Sequence, residues 1–259
     1  MTDAGMTSFD EIYGLPDPRG YFGRLGPYAY QTPGHAQPVF RALAAELAPQ
    51  RRTVIDICCS YGINSALLNH DVTLDELYAH YTSREAAGLT TAELADRDRA
   101  FYAARRRPDA VRAVGVDVSG PALEYAVAVG LLDEGHRVDL EAEEPGEGLR
   151  RSAAGAGLIT VTGGTSFLTG RTFARLFTAA GRALPVAAFV LRTHDYRPIS
   201  RCLESYGLTV ERDGATRPQR RFTDPGEQRR AVAAVTALGE DPAGKESQGY
   251  FHTRLHLAR

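Results

Sequence analysis

The chain has 259 residues, of which 43% are hydrophobic and 24% charged, and its formal net charge is −2. This is the composition of an ordinary globular protein, long enough for one sizeable core. The charge balance argues against nucleic-acid binding, which usually needs a net basic face. The sequence has no apolar run of the ~18 residues that a membrane span requires and no secretory signal at its start. Three cysteines, two of them adjacent, fit a reducing cytoplasm and exclude a spaced zinc quartet.

Residues 1–38 are rich in glycine, proline and tyrosine, with prolines at positions 16, 18, 27, 33 and 38. Because proline interrupts helices, this stretch is predicted to be an irregular segment that caps a domain formed by residues 39–259. A short helix is predicted over 39–47, where apolar residues recur at helical spacing.

From residue 53 onward, strand and helix patterns alternate, which is typical of a parallel sheet covered by helices. The last segment alternates apolar and polar residues strictly and is predicted to be antiparallel. We therefore expect an α/β fold with a Rossmann-like sheet of about seven strands, mostly parallel, with helices on both faces. The predicted strands cover 53–57, 111–118, 137–140, 158–162, 186–191, 208–212 and 249–258, and the predicted helices 62–68, 121–132, 170–180 and 199–206.

An insertion over residues 70–110 separates the first helix from the second strand. Two helix starts of the capping-box type lie in it, Thr73 with Glu76 and Thr90 with Glu93. The insertion leaves from the carboxyl edge of the sheet, so it is either a lid over a ligand site or a structural spacer. A further helix start is predicted at Asp224, within a second interruption over 213–248.

The segment Val-Ile-Asp-Ile-Cys-Cys-Ser-Tyr-Gly, residues 54–62, joins an apolar strand to a helix through a turn of small residues. Such turns present ligands to a helix N-terminus. No Gly-Lys-Ser/Thr follows, which excludes a phosphate-binding P-loop, and only Gly62 matches the dinucleotide fingerprint. Asp56 in this turn would repel a pyrophosphate and suits a ligand that carries positive charge.

This segment resembles motif I of the class I S-adenosylmethionine-dependent methyltransferases. Asp56 matches the acid of the motif, Cys59 its usual cysteine and Gly62 its last glycine, while Cys58 and Ser60 stand where the family has glycines. The resemblance implies the Rossmann-like methyltransferase fold, S-adenosylmethionine as cofactor, and contact between the cofactor and Asp56, Cys58, Ser60 and Gly62. A helix-capping role for Asp56 and a packing role for the cysteines remain open.

Two later segments extend the resemblance. Asp117 ends the second predicted strand, where the family's acid binds the ribose hydroxyls, and Val118 follows it. Asp139 and Leu140 match the acid and apolar residue beside the adenine. Asp117 could instead be an ordinary strand-end acid, and Glu141 or Glu143 could replace Asp139.

The family's fourth motif corresponds here to Thr-Gly-Gly-Thr-Ser-Phe, residues 162–167, so Thr162 and Gly163 are expected at the cofactor. Methyltransferases that act on nucleobase amines or glutamine amides usually carry Asn/Asp-Pro-Pro-Tyr at this place. The absence of that motif favours other acceptors.

Candidates for acid–base catalysis are His194, which follows the fifth strand, and His35 in the N-terminal segment, although either histidine could be without a catalytic role. An aromatic pocket for the acceptor is predicted from Tyr28, Tyr30, Tyr61 and Phe167, together with Tyr21, with core packing as the alternative. His252 and His256 share a strand face but have no third ligand, so no metal site is predicted.

The sequence thus predicts methyl transfer from S-adenosylmethionine to oxygen or nitrogen of a small molecule, in bacterial specialised metabolism. The predicted enzyme is cytoplasmic, without a nucleic-acid or membrane partner, and a homodimer is left open. The alternative is a non-catalytic cofactor-binding scaffold or regulatory protein, suggested by the two missing glycines. A nicotinamide-dependent oxidoreductase is disfavoured because no glycine-rich pyrophosphate turn is present.

Overall fold

A computed structural model of the chain describes residues 6–259 and contains one mixed sheet. Its strands are β1 (Thr53–Ile57), β2 (Arg112–Asp117), β3 (Glu134–Arg137), β4 (Ala156–Val161), β5 (Val186–Leu191), β6 (Val210–Arg212), β7 (Arg217–Arg221) and β8 (Tyr250–Ala258). The strand order is β3-β2-β1-β4-β5-β8-β6, and β7 pairs with β8. The first five strands pair in parallel, while β8 is antiparallel to β5, β6 and β7.

The predicted α/β class and Rossmann-like methyltransferase topology are confirmed by this strand order and by the antiparallel β8. The sheet reverses its winding at β1, which lies between β2 and β4. In open α/β sheets, ligands bind outside the carboxyl ends of the strands at this point of reversal. A ligand site is therefore expected among the residues that follow β1, β2 and β4.

Helices cover both faces of the sheet. They are α1 (Arg19–Leu25), α2 (Thr32–Ala45), α3 (Ile63–Asn69), α4 (Leu74–Thr82), α5 (Arg84–Ala87), α6 (Thr91–Ala103), α7 (Gly120–Ala128), α8 (Glu147–Ala154), α9 (Gly170–Ala180), α10 (Arg197–Ser205) and α11 (Pro225–Ala237). Successive side chains of β1 alternate between the faces: Val54 packs in a cluster with Phe40 of α2, and Ile55 in a cluster with Phe173 of α9.

The prediction of an irregular segment over 1–38 is wrong for the described part, because α1 lies within it and α2 begins at Thr32 rather than at residue 39. Pro33 occupies the first turn of α2, where its missing N–H costs no hydrogen bond. Pro38 lies inside the helix. The buried residues Ala36 and Phe40 hold α2 against the core there, so tertiary packing outweighs the lost bond. Residues 1–5 of the predicted segment lie outside the described residues.

Three further elements differ from the prediction. The third strand is Glu134–Arg137 instead of 137–140, because the edge strand pairs earlier along β2 and frees the following residues for a loop. The strand β7 and the helix α8 were not predicted. The sequence of β7, Arg-Pro-Gln-Arg-Arg, lacks the alternation of apolar residues that marks a strand.

Both capping boxes of the insertion are confirmed, with Thr73 and Thr90 each exchanging hydrogen bonds with the glutamate three residues on. The insertion packs against α1: the ring of Phe22 stacks on Tyr81 with centroids 4.7 Å apart. Arg19 donates hydrogen bonds to carbonyl oxygens of the insertion. Within residues 6–259, no helix is long and apolar enough to span a membrane.

The C-terminal part of the chain holds the N-terminal segment in place. The Thr7 N–H donates a hydrogen bond to Oε1 of Glu227, and the Gln31 N–H donates to the carbonyl oxygen of Gln219. Glu227 is paired with Arg220 at 2.8 Å, and both side chains are buried. Hydrogen bonds from Arg220 and from backbone N–H groups outweigh the effect of burial and lower the pKa of Glu227 to about 2.

Candidate active site

A cavity of about 560 Å³ opens at the carboxyl ends of β1, β2 and β4. Its volume lies within the range of roughly 300–1,000 Å³ that is common for small-molecule sites. Its walls come from five parts of the chain: the N-terminal segment, the turn after β1, the loop after β2, the loop after β3, and the segment after β4. Lining residues include Asp10, Tyr13, Tyr21, Tyr30, Pro33, Cys58, Ser60, Asn64, Asp117, Val118, Arg137, Asp139, Leu140, Thr162, Gly163, Gly164 and Phe167.

The turn after β1 keeps a left-handed backbone at all three motif positions. The φ angles are 56° at Cys58, 51° at Ser60 and 74° at Gly62. Left-handed backbone costs a non-glycine residue roughly 1–2 kcal/mol, so Cys58 and Ser60 hold this shape against their own preference. The hydroxyl of Ser60 is buried without a hydrogen-bond partner among the described residues. The turn therefore has the geometry of a glycine turn and carries an unused polar group.

The carboxylate of Asp117 faces this turn. Its Oδ2 accepts a hydrogen bond of 2.8 Å from the Ser60 N–H, and its Oδ1 accepts one of 2.9 Å from the Ser119 N–H. Each carboxylate oxygen can accept further hydrogen bonds. Asp117 lines the cavity, so an oriented carboxylate lies at the carboxyl end of β2.

Asp56 is only 2% exposed and is not among the lining residues. It accepts hydrogen bonds from Nδ2 of Asn64 and from the hydroxyl of Thr160, and Asn64 in turn bonds to Thr162. Burial raises the pKa of Asp56 to about 7. The acid therefore positions Asn64, which lines the cavity and was missed at the sequence level because a single asparagine carries no motif. Gly62 also lies away from the cavity, close to Leu131.

At the far end of the cavity lie Val118, Asp139 and Leu140. Val118 is 63% exposed. Asp139 accepts a hydrogen bond from the Glu141 N–H. Of the two alternatives, Glu141 binds Thr169 and Thr172 at the start of α9, and neither glutamate lines the cavity.

The segment after β4 approaches the turn after β1 closely. Gly164 has a φ of 75°, and a Cβ atom added there would lie 2.7 Å from Sγ of Cys58. Glycine is therefore required at this position for two independent reasons. Thr162 and Gly163 line the cavity, and Phe167 lies in its wall with half of its surface exposed.

Three tyrosines of the N-terminal segment form the opposite wall. The ring centroids of Tyr13 and Tyr21 are 6.2 Å apart, as are those of Tyr21 and Tyr30, and both pairs meet edge to face. The hydroxyl of Tyr30 lies 3.4 Å from the place of a Cβ on Gly163. Burial raises the pKa of Tyr30 to about 12, so it stays a neutral phenol. Tyr13 and the rim residue Asp10 were not predicted, since an irregular stretch gives no periodicity from which to choose.

Tyr30 is fixed from three directions. The preceding residue, Ala29, has a left-handed backbone with φ of 52°. The hydroxyl of Tyr78, in the insertion, donates a hydrogen bond of 2.8 Å to the carbonyl oxygen of Tyr30. The next residue, Gln31, is bonded to Gln219 beside β8. No residue of 70–110 is among the described residues that line the cavity, so the insertion supports this wall from behind.

Besides Asp56 and Gly62, four further predicted site residues lie away from the cavity. Tyr61 is fully buried, and its hydroxyl bonds to the carbonyl oxygens of Ile12 and Leu15. Tyr28 packs on Phe9. Neither His35 nor His194 lines the cavity. The sequence pattern could not distinguish Tyr28 from Tyr30, because the course of the N-terminal segment decides which of its rings line the cavity.

His35 lies on α2, where burial and then Arg217 lower its pKa. His194 lies in a second cavity of about 370 Å³, on the other side of β5 and β8. Neither histidine is brought to the first cavity. Burial raises the pKa of Cys58 and Cys59, which fits the packing role considered for them. Among residues 6–259, no group of three or more His, Cys, Asp or Glu residues is placed to hold a metal ion.

The sequence matches no family model and no curated protein. Solved structures that it resembles include a magnesium protoporphyrin IX methyltransferase from Synechocystis, with 13% identity and a TM-score of 0.42 over 87% of this chain and 80% of that one. A TehB-like methyltransferase from Corynebacterium glutamicum has 13% identity and a TM-score of 0.42 over 84% and 85%. An S-adenosylmethionine-dependent methyltransferase from Aquifex aeolicus has 11% identity and a TM-score of 0.42 over 96% and 98%. The fold of this chain rests on its own strand order, which is the methyltransferase topology.

Proposed function

We propose that this protein transfers a methyl group from S-adenosylmethionine to oxygen or nitrogen of a small molecule. The observation that carries the proposal is the carboxylate of Asp117, held by two backbone N–H groups beside a left-handed turn at the reversal point of the sheet. A carboxylate in this place can accept both hydrogen bonds of a ribose diol. The three free cysteines are consistent with a cytoplasmic enzyme.

The residues present fit the cofactor along the whole cavity. Asp117 would hold the ribose, and Asp139 and Leu140 would border the adenine. The unpartnered hydroxyl of Ser60 offers a hydrogen bond to the amino-acid end of the cofactor. S-adenosylmethionine, when bound, supplies an activated methyl group, so the protein's task is to align the acceptor with it. The segment after β4 and the three tyrosines would form the acceptor side.

The non-catalytic alternative was suggested by the replacement of two motif glycines. Cys58 and Ser60 adopt left-handed backbone nevertheless, so the replacements leave the shape of the turn unchanged. That removes the argument for a merely regulatory protein, and we propose an enzyme. No step of the proposal uses His35 or His194.

Calorimetric titration of the purified protein with S-adenosylmethionine and with S-adenosylhomocysteine tests the proposal. We expect both to bind with micromolar affinity. A correctly folded protein that binds neither would show that the turn over 58–62 is not a cofactor site, and the proposed function would be withdrawn.

A further inference from the structure

The charges that line the cavity favour a cationic acceptor over an anionic one. The described lining residues include the carboxylates Asp10, Asp117 and Asp139 and the guanidinium Arg137. Arg137 lies at the end of β3 beside Gly120, on the side assigned to the cofactor. On the tyrosine side, Asp10 is the charged residue among the described lining residues, since Arg220 near Tyr30 does not line the cavity and is paired with Glu227. A carboxylate, phosphate or phenolate would find no positive partner there.

The tyrosine wall has the form of a site for a positively charged nitrogen. Tyr21 meets both Tyr13 and Tyr30 edge to face with ring centroids 6.2 Å apart, and all three residues line the cavity. Aromatic faces attract cations within about 6 Å, and groups of such faces bind alkylammonium ions. Asp10, exposed at the rim, adds a negative charge beside them.

Apart from the exposed carboxylate of Asp10 at the rim, the described residues of this wall offer no group that could take a proton from the acceptor during the reaction. None of the described lining residues is a histidine or lysine. Burial raises the pKa of Tyr30 to about 12, that of Tyr21 well above its ordinary value, and that of the Cys58 thiol likewise. A hydroxyl acceptor needs a base for its proton, whereas an amine in its free-base form attacks through a lone pair.

From these three observations we infer that the methyl acceptor is an amine, bound against Tyr13, Tyr21 and Tyr30 with Asp10 at the entrance. This inference rests on the proposed function and narrows it to N-methylation. The amine gives up its extra proton to water before the reaction. Its nitrogen then forms a bond to the methyl carbon, the carbon–sulfur bond breaks with its electron pair left on sulfur, and the positive charge passes from sulfur to nitrogen.

The tyrosine wall and Asp10 suit a reaction in which a positive charge passes from sulfur to nitrogen. A cation is present before the step as a sulfonium and after it as a methylammonium, so the aromatic faces and Asp10 stabilise the site throughout. With a phenolate acceptor, the charges would cancel, and the negative lining would oppose binding of the acceptor.

Binding of choline, compared with its uncharged carbon analogue 3,3-dimethylbutan-1-ol, tests the inference without turnover. Both are titrated calorimetrically into the protein saturated with S-adenosylhomocysteine. We expect choline to bind roughly 5- to 30-fold more tightly, the range that cation–π contacts in a partly desolvated site provide. Equal affinities, or tighter binding of the alcohol, would overturn the amine inference while the cofactor site stands. Failure of S-adenosylhomocysteine to bind would instead overturn the proposed function, and this inference with it.

Variants of Tyr30 test whether the tyrosine wall causes the preference for choline over its uncharged analogue. Tyr30→Phe keeps the aromatic face and is expected to keep the preference for choline, while Tyr30→Leu is expected to reduce it to below about threefold. Tyr206→Leu is the matched control, because Tyr206 is exposed and lies outside the cavity. Unchanged affinity for S-adenosylhomocysteine in each variant shows that the fold is intact. A preference that survives Tyr30→Leu unchanged would overturn the assignment to this wall.

Discussion

The Ser60 N–H points at the Asp117 carboxylate from a residue whose φ is 51°, so an acid after β2 and a strained residue after β1 are joined by one hydrogen bond of 2.8 Å. The acid thus has two tasks in this fold, because it stabilises the turn and still faces the cavity. Ligand affinity and the stability of the turn therefore both depend on the pair of Ser60 and Asp117. Substitutions at the two positions can measure the two effects separately.

Removal of the Asp117 carboxylate should weaken cofactor binding. We expect Asp117→Ala to lower the affinity for S-adenosylhomocysteine by about 10- to 150-fold, because charge-assisted hydrogen bonds contribute roughly 1.5–3 kcal/mol. Calorimetric titration measures the change. Asp195→Ala, which alters an acid outside this cavity, is the control. Equal affinities of the two variants would show that the ribose acid is placed wrongly.

Glycine at position 60 should relieve strain. Ser60→Gly is expected to raise the free energy of unfolding by about 0.5–1 kcal/mol, since the left-handed penalty of about 1–2 kcal/mol outweighs the greater freedom of glycine in the unfolded chain. Ser60→Ala retains the strain and should stay within about 0.5 kcal/mol of the parent protein. Urea denaturation compares the three proteins. If the glycine and alanine variants are equally stable, the turn is not strained at Ser60.

Two glycines with left-handed backbone provide a matched comparison. Alanine at Gly164 (φ 75°) and at Gly181 (φ 68°) costs about 1–2 kcal/mol for backbone strain in each case. At Gly164 the new Cβ also meets Sγ of Cys58, whereas at Gly181 no atom lies within 4 Å. We expect Gly164→Ala to lose about 1–3 kcal/mol more in urea denaturation. Adding Cys58→Gly should abolish this difference, and its persistence would contradict the contact.

The stability of the protein should depend on pH through Asp56. Burial raises the pKa of Asp56 to about 7, well above the ordinary value of 3.8, so the folded protein binds a proton that the unfolded chain has released. The contribution of Asp56 is complete below pH 4 and is lost as the pH rises towards 7. The stability of Asp56→Asn relative to the parent should therefore increase over this interval, by on the order of 2–4 kcal/mol. Asp213→Asn, whose parent carboxyl has a lowered pKa, should show no such trend between pH 4.5 and 8 in urea denaturation.

The ion pair of Arg220 and Glu227 should contribute far more than a surface pair. Removing one partner of a buried pair costs about 3–5 kcal/mol, so Glu227→Ala is expected to lower the free energy of unfolding by that amount at pH 7. Because the folded pKa is about 2, the effect is complete above pH 4.5 and declines as the pH falls towards 2. Glu211→Ala breaks an exposed pair with Arg259 and should cost less than about 1 kcal/mol. Similar losses for both variants would mean that the buried pair does not form in solution.

The sheet could be predicted from the sequence because buried strands carry local signals. The run 53–57 and the apolar stretch 186–191 coincide with β1 and β5. The strand β7 could not be predicted, since it lacks alternating apolar residues and its Arg220 is buried in an ion pair with Glu227 that no sequence pattern marks. The sequence pattern alone therefore predicts an exposed, charged segment at 217–221.

The position of the residues that we assign to the cofactor was predictable for a related reason. Asp117 and Thr162 follow strands directly, and strand ends fix positions at the sheet edge. The acceptor side depends on which rings of the N-terminal segment turn inward. Tyr30 lines the cavity while Tyr28, two residues earlier, does not, because the left-handed Ala29 between them redirects the chain.

The bonds that join Thr7 to Glu227 and Gln31 to Gln219 connect residues about 190 to 220 positions apart. A ribosome releases the N-terminal segment long before it makes the residues that anchor it. During synthesis, the tyrosine wall is therefore without its anchors while β1 to β5 have already been made. The wall can be secured only after Gln219 and Glu227 have been added to the chain.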